Sequence, residues 1–216
     1  MMFPNAYKGV KKIWLAELLM LLVTVLSIVM IVIVGKNALI VNEEIIAVTE
    51  GITGVAAGLG IAAGVIGLIA FLLNLFGVIS ARKDDDNFKA ALFATLIGII
   101  TTGVSSFWSS NLRLANWMDT ITSICSLFAS YFVLSGIASL ADKYPDNETK
   151  ALALKSRTLL EATFCVSAIL KFVRNIFNIQ NETVLLIMGV GALVMEFISF
   201  LLYMHALSRG KTMLAR

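Results

Sequence analysis

Residues 184–207 form the stretch VLLIMGVGALVMEFISFLLYMHAL, which decides the fold of this 216-residue chain. Glu196 is the one Asp, Glu, Lys or Arg residue in its 24 positions. A helix that crosses the ~30 Å hydrocarbon core of a bilayer needs about 20 mostly apolar residues. The stretch therefore predicts a membrane-spanning helix.

Five other stretches have a similar length and composition. The six predicted spans are residues 13–34, 54–79, 90–109, 120–140, 158–177 and 184–207. Hydrophobic residues make up 59% of the chain and charged residues 14%, against roughly 45–50% and about 25% in soluble domains. The sequence thus predicts an all-α fold: a polytopic helical bundle of the cell (cytoplasmic) membrane. It also predicts that residues 1–216 form a single transmembrane domain, with no soluble domain.

The positive charges alternate between the connecting segments. Thirteen of the 17 Lys and Arg residues lie at the two termini and in the second and fourth connections. The other four are Lys36, Arg113, Lys171 and Arg174. Because cytosolic loops are enriched in Lys and Arg, this distribution predicts that both termini are cytosolic. A net charge of +3 is too small to indicate a nucleic-acid partner, so the predicted partner is the lipid bilayer.

Two features of the connections carry further predictions. The acidic and apolar segment 35–53 is expected to be either a short helix on the membrane surface or a folded loop over the helix ends. Helix caps are expected at Asp86 or Asn87 for the third helix and at Asp146 or Asn147 for the fifth.

Motifs for catalysis, metal binding and cofactor binding are absent from the sequence. His205 is the only histidine, and there is neither a nucleophile elbow nor a phosphate-binding glycine loop. The acidic run Asp84–Asp86 lacks the spaced ligands and distal glutamate of a calcium loop, and it is interpreted as a solvated, self-neutralising connection. We expect a protein that is not an enzyme and that needs no metal or cofactor.

The second predicted helix is rich in glycine. Gly54 and Gly58 are four residues apart, as are Gly60 and Gly64. Small residues at this spacing let membrane helices approach closely. These glycines are expected to contact another helix, either in the same chain or in a second copy of it.

Hydroxyl side chains recur on one face of the third helix and on one face of the fourth. The third-helix stripe comprises Thr95, Gly98, Thr102, Ser105 and Ser109, and the fourth-helix stripe comprises Asp119, Ser123, Ser126 and Ser130. The stripes are interpreted either as contacts between helices or as a hydrophilic path.

Glu196 lies near the middle of the sixth predicted span, where a charge costs about 2.5–3.5 kcal/mol on insertion scales. Its helix face is small and polar, which predicts that it points into the bundle near the hydroxyl stripes. Carboxyl groups removed from water favour the protonated form, which suits a proton or ion site. The alternative is a purely structural hydrogen bond. The residues of the expected site are Glu196, Ser199, Tyr203, Thr102 and Ser105.

Two hypotheses for function follow. The leading one is a small transporter or permease-like protein, supported by Glu196, the hydroxyl stripes and a weak resemblance between segments that begin at Gly77 and Gly136. The other is a non-transporting partner of a membrane protein: a subunit, an assembly or immunity factor, or a regulator. The glycine spacing favours this second hypothesis, including the formation of a homo-oligomer.

Overall fold

The computed structural model describes residues 2–41, 44–48, 50–107, 112–176 and 182–216, and these residues contain six long helices. They are α1 (Pro4–Asn37), α2 (Glu50–Ala81), α3 (Asp86–Phe107), α4 (Leu112–Lys143), α5 (Asn147–Ile176) and α6 (Glu182–Ala215). Even α3, with 22 residues, is about 33 Å long at 1.5 Å per residue. Among the described residues, α1, α2, α3, α4 and α6 are long and apolar enough to cross a membrane. The prediction of long, apolar helices is confirmed for these five, and their insertion in a membrane stays a prediction.

The fifth helix differs from its prediction. Residues 158–177 were expected to form a span, but within the described residues α5 is not among the five helices that meet the length and composition of one. Glu161, Lys171 and Arg174 interrupt its apolar residues, and its first ten residues are largely polar. Composition therefore supports five spans, and a sixth needs an argument from packing.

The segment between α1 and α2 is also different from the expectation. Strands β1 (Ala38–Val41) and β2 (Glu44–Val48) pair as an antiparallel hairpin, with Ala38 opposite Val48. The expectation of a surface helix was wrong, whereas the other expectation, a folded loop, is compatible with this hairpin. Both strands are rich in Ile and Val, whose branched side chains favour extended backbone.

The chain packs as two compact units. One unit is Lys12–Phe76, and the other combines Met1–Lys11 with Gly77–Arg216. In the Lys12–Phe76 unit the apolar side chains are mostly exposed, among them Ile28, Ile61 and Val65. An exposed apolar surface of this extent is expected where lipid covers a helix.

The predicted glycine contacts of α2 are largely missing within the chain. No described atom outside its own helix backbone lies within 4 Å of the place where a Cβ would stand on Gly54, Gly58 or Gly64. At Gly60 the nearest atom is Sδ of Met30, at 3.8 Å. Of these four glycines, only Gly60 has such a contact within the described chain, and the close approach of another helix, in this chain or in a second copy, stays a prediction.

In the larger unit the helices α3 to α6 pack successively and antiparallel. In each neighbouring pair, the residue numbers of the contacting partners increase along one helix and decrease along the other. The pairs are Phe88–Gly136 and Gly98–Cys125 for α3 and α4, Asp142–Lys150 and Ser135–Arg157 for α4 and α5, and Glu148–Arg209 and Thr163–Ser199 for α5 and α6.

One end of this unit, here called the basic end, gathers residues 4–11, 77–91, 134–156 and 206–216. Many of the fully buried side chains belong to it, including Phe88, Ile137, Leu140 and Leu214. It also carries eleven of the 17 Lys and Arg residues of the chain. The unit therefore has a well-packed, positively charged end from which the apolar parts of the helices extend.

Candidate functional site

Glu196 lies at the edge of α6 that borders α5, and its side chain is exposed. Its Oε1 accepts a hydrogen bond from Oγ of Ser167 at 3.3 Å. The expectation that Glu196 faces the interior near the stripes of α3 and α4 was wrong. The physical reason is that α6 packs chiefly on α5, so the polar edge of α6 borders that helix.

Two other predicted residues lie on the same side of α6 but are buried. Ser199 and Tyr203 are each 5% exposed. The hydroxyls of Ser199 and Thr163 form a buried hydrogen bond of 2.6 Å. Ser199 and Glu196 therefore both bond hydroxyl side chains of α5.

The residues of α5 that complete this interface were missed by the sequence analysis. Ser156 donates a hydrogen bond to the carbonyl oxygen of Leu202 at 3.1 Å, while Thr163 and Ser167 bond Ser199 and Glu196. Their spacings of seven and four residues place all three on one helical face, a signal comparable to the stripes of α3 and α4. We call the set the α5–α6 seam: Ser156, Thr163, Ser167, Glu196, Ser199 and Tyr203.

Thr102 and Ser105 belong to a different interface. They lie on α3, which packs on α4, and the hydroxyls of Thr101 and Thr102 stand 2.8 and 3.5 Å from that of Thr122. Thr102 also donates to the carbonyl oxygen of Gly98 at 2.9 Å. The five predicted site residues therefore divide between two seams. Ser109, the outer end of the predicted stripe, lies outside the described residues.

The surroundings of Glu196 leave its carboxyl group mostly unsatisfied within the described chain. A hydrogen bond between hydroxyl and carboxyl oxygens is usually 2.5–3.0 Å long, so the contact with Ser167 is a long one. The described residues show ion pairs at five places, and Glu196 belongs to none of them. On its exposed side lie Gly189, Leu193 and Phe197, which offer no side-chain donor.

The acidic run at the basic end has a clear structural role. Asp84 accepts hydrogen bonds from the amide of Asn5 at 2.9 Å and the backbone N–H of Ala6 at 2.6 Å. It thereby ties the start of α1 to the connection between α2 and α3. The interpretation as a merely solvated loop was incomplete.

Asp85 is the cap of α3, in place of the predicted Asp86 or Asn87. It accepts hydrogen bonds from the backbone N–H of Asn87 at 2.9 Å and from Ser139 at 2.7 Å. Burial by itself raises the pKa of Asp85, but the hydrogen bonds from Ser139 and Asn87 and the charge of Lys143 outweigh it and hold the pKa below its usual value. At α5 the predicted cap Asp146 is confirmed, because it accepts from the N–H of Thr149 at 3.0 Å. That bond holds the pKa of Asp146 below its usual value.

Comparisons with known proteins give no relative from which a function could be transferred: no family model, no curated protein and no solved structure matches this chain.

Proposed function

We propose that the chain crosses the cell membrane six times, with both termini and the basic end in the cytosol. Eleven of its 17 Lys and Arg residues lie at the basic end, and this bias sets orientation in membrane proteins. The packing of α5 supports the sixth crossing. Its contacts with α6 run from Glu148–Arg209 to Ser167–Glu196, so a bilayer that contains this length of α6 also contains α5.

The charges of α5 fit this arrangement. Arg157 lies 3.7 Å from Glu161 and stacks over the ring of Tyr131, with 4.9 Å to the ring centroid. Beyond Ser167 the helix continues to Ile176, about 13 Å further at 1.5 Å per residue. The sequence of this last part contains two basic residues, at positions 171 and 174, and long basic residues are tolerated near the end of a span.

We further propose that the protein works as a non-enzymatic membrane partner, which binds another membrane helix through the exposed face of α6. One observation carries this proposal: Glu196 is an exposed carboxyl on an otherwise apolar helix face, with one long hydrogen bond among the described residues. A protonated carboxyl both donates and accepts hydrogen bonds. Exposed to hydrocarbon, it is therefore best satisfied by a polar group on a second helix.

The first occupant to test is a second copy of the chain. Membrane homodimers commonly have a two-fold axis. A residue near that axis contacts the same residue of the other copy. When the axis is normal to the membrane, Glu196 of each copy is at the same depth, and two carboxyl groups can pair. Gly189 lies two turns away on the same face, and no described atom lies within 4 Å of the place where its Cβ would stand, so helices can approach closely there.

Disulfide crosslinking in membranes tests this association. In a variant in which Cys125 and Cys165 are replaced by Ala, Leu193→Cys should form a disulfide-linked dimer on mild oxidation. The matched control is Val194→Cys. Leu193 is 66% exposed and Val194 is 53% exposed, but Val194 lies about 160° from Glu196 around the helix, at 100° per residue.

Substitution of Glu196 separates hydrogen bonding from packing. Glu196→Gln keeps donors and acceptors and should preserve crosslinking at position 193, whereas Glu196→Leu should reduce it several-fold. Hydrogen bonds between membrane helices contribute about 1–2 kcal/mol in model peptides, which is roughly 5- to 30-fold in association. If neither position crosslinks but a different membrane protein co-purifies with the wild type and not with Glu196→Leu, the occupant is that protein. Equal crosslinking by Glu196→Leu and the wild type would refute the proposed role of the carboxyl.

Proton transport is the second candidate, favoured by the hydrogen-bonding side chains that follow the α5–α6 seam from Ser156 to Glu196. Proteoliposomes with an internal pH-sensitive dye and an imposed membrane potential test it. If the seam conducts protons, the wild type acidifies the lumen and Glu196→Gln does not. Absence of acidification by the wild type would exclude uncoupled proton conduction.

A further inference from the structure

A pocket of about 750 Å³ opens at the basic end beside the start of α3. Its polar side includes Arg82, Lys83, Lys89 and Lys143. Its apolar side is made by Leu92, Phe93 and Leu96 on the first turns of α3. The pocket therefore joins a basic rim to the apolar surface of a helix that is long and apolar enough to cross a membrane.

The acidic residues of this pocket pair with two of its four basic residues, Lys89 and Lys143, and leave the charges of Arg82 and Lys83 available. Asp84 is engaged with the start of α1, and the side chain of Asp85 is only 5% exposed beneath Ser139 and Lys143. Asp86 is the one well-exposed carboxylate of the three, and it pairs with Lys89. Arg82 and Lys83 are exposed and form no ion pair within the described part of the chain.

The apolar side continues along α3 away from the rim. Phe93 is 67% exposed, and Ile97 and Ile100 are 50% and 65% exposed. Their spacing of four and three residues places them on one face of the helix. A small soluble anion would need only the rim, whereas this face matches the hydrocarbon chain of a lipid.

We infer that this pocket binds an anionic phospholipid, whose phosphate lies against Arg82 and Lys83 and whose acyl chain lies along Phe93, Ile97 and Ile100. Guanidinium and ammonium groups form strong, charge-assisted hydrogen bonds with phosphate. Basic pockets beside membrane helices on the cytosolic side recognise anionic headgroups in this way. The inference rests on the membrane location proposed above but not on the association through α6.

Thermal unfolding of the full chain in an uncharged detergent tests the inference. Added phosphatidylglycerol should raise the melting temperature more than phosphatidylcholine with the same acyl chains, because a ligand of the folded state stabilises it. In the variant Arg82→Gln/Lys83→Gln the apparent affinity for phosphatidylglycerol should fall about 10- to 30-fold, from about 1 kcal/mol per basic residue. Both side chains are exposed, so the melting temperature without lipid should stay the same.

The matched control is Lys11→Gln/Lys155→Gln. It removes the same charge from two exposed lysines that do not line the pocket, and it should keep the wild-type affinity within about twofold. An equal loss in the control would show diffuse attraction to the basic end and would overturn the site, as would an unchanged affinity in Arg82→Gln/Lys83→Gln.

Inorganic phosphate distinguishes a lipid from a free anion. If phosphate alone stabilises the wild type as much as phosphatidylglycerol at equal concentration, the site binds a small anion and the lipid assignment is wrong. Phe93→Ser should weaken phosphatidylglycerol binding and leave any effect of phosphate unchanged. A chain that stays out of the membrane fraction would defeat the membrane location itself, whereas loss of crosslinking at position 193 would defeat only the proposed association.

Discussion

Glycines lie in two contrasting surroundings in this protein. At the basic end, a Cβ on Gly9 would stand 2.5 Å from the carbonyl oxygen of Gly77 and 2.6 Å from Cβ of Ala81. A Cβ on Gly136 would stand 2.6 Å from the ring of Phe88. In α2, by contrast, no described atom comes within 4 Å of a Cβ on Gly58 or Gly64. Close helix packing within the chain is therefore found at the basic end, and the regularly spaced glycines of α2 are open.

The difference teaches that spacing alone does not identify a contact. Residues four apart share a helix face whatever lies opposite. Gly9 and Gly136 have no small partner four residues away that would single them out, yet their neighbours approach as closely as backbone and ring atoms allow. The glycines at positions 54, 58 and 64 of α2 have the regular spacing but no neighbour of this kind among the described residues.

The largest expected effect tests this contrast directly. Gly9→Ala should lower the free energy of unfolding by about 2 kcal/mol, because overpacking against backbone atoms costs about 1–3 kcal/mol or more and outweighs the better helix propensity of Ala. Gly64→Ala meets no described atom, so it should gain up to about 1 kcal/mol from propensity. Unfolding in detergent micelles, followed by circular dichroism, measures both. A stable Gly9→Ala and an unfolded Gly64→Ala would reverse the comparison.

Much of the fold could be predicted from the sequence, because the length of an apolar run is a strong constraint on a helix in a membrane. Residues 13–34 and 184–207 both lie within long helices, and the cap Asp146 was expected. The hairpin β1–β2 was not, since its apolar residues fit a short helix equally well. The helix α5 was predicted correctly. Because of its charged residues, its composition does not identify it as a membrane span, and the support for a crossing comes from its contacts with α6.

The second prediction concerns the polar contacts of the basic end. Asp85→Asn keeps the shape of the side chain but weakens its bonds to Ser139 and Lys143. Hydrogen bonds to charged groups contribute about 1.5–3 kcal/mol to stability, and Asn retains part of this contribution. We therefore expect the free energy of unfolding to fall by about 1 kcal/mol at neutral pH. The exposed pair Asp86–Lys89 is the control, and Asp86→Asn should change stability little.

The pH dependence of this effect has a defined sign. Because the pKa of Asp85 is lowered in the folded protein from 3.8, its contribution to stability is complete above that value. It is lost as the pH falls through the folded pKa. The difference between the wild type and Asp85→Asn should therefore be constant from pH 5 to 7 and shrink below about pH 4. A difference that grows on acidification would contradict the assigned hydrogen bonds.

The site residues were harder to predict than the helices. Sequence spacing shows which residues share a helix face, but not which neighbouring helix that face contacts. Glu196, Ser199 and Tyr203 do share one side of α6, but that side borders α5 and not α3. The hydroxyl residues of α5 were not predicted as a site, because the same helix also carries several charged residues near its two ends. Thr102 bonds toward α4, which separates it from Glu196.

The smallest expected effect is in the apolar part of the larger unit, at the bond between Thr101 and Thr122. Thr101 also donates to the carbonyl oxygens of Ile97 and Gly98, so its hydroxyl is satisfied even without its partner. Hydrogen bonds between membrane helices average about 0.6 kcal/mol in double-mutant cycles. The coupling between Thr101→Val and Thr122→Val should therefore be about 0.6 kcal/mol, below the loss expected for Asp85→Asn. The control is Thr24→Val, which removes a hydroxyl that bonds the carbonyl oxygen of Met20 in its own helix. A coupling of about 2 kcal/mol or more would mean that polar contacts hold the apolar part of the unit as firmly as the basic end, because only unusually strong pairs reach that value.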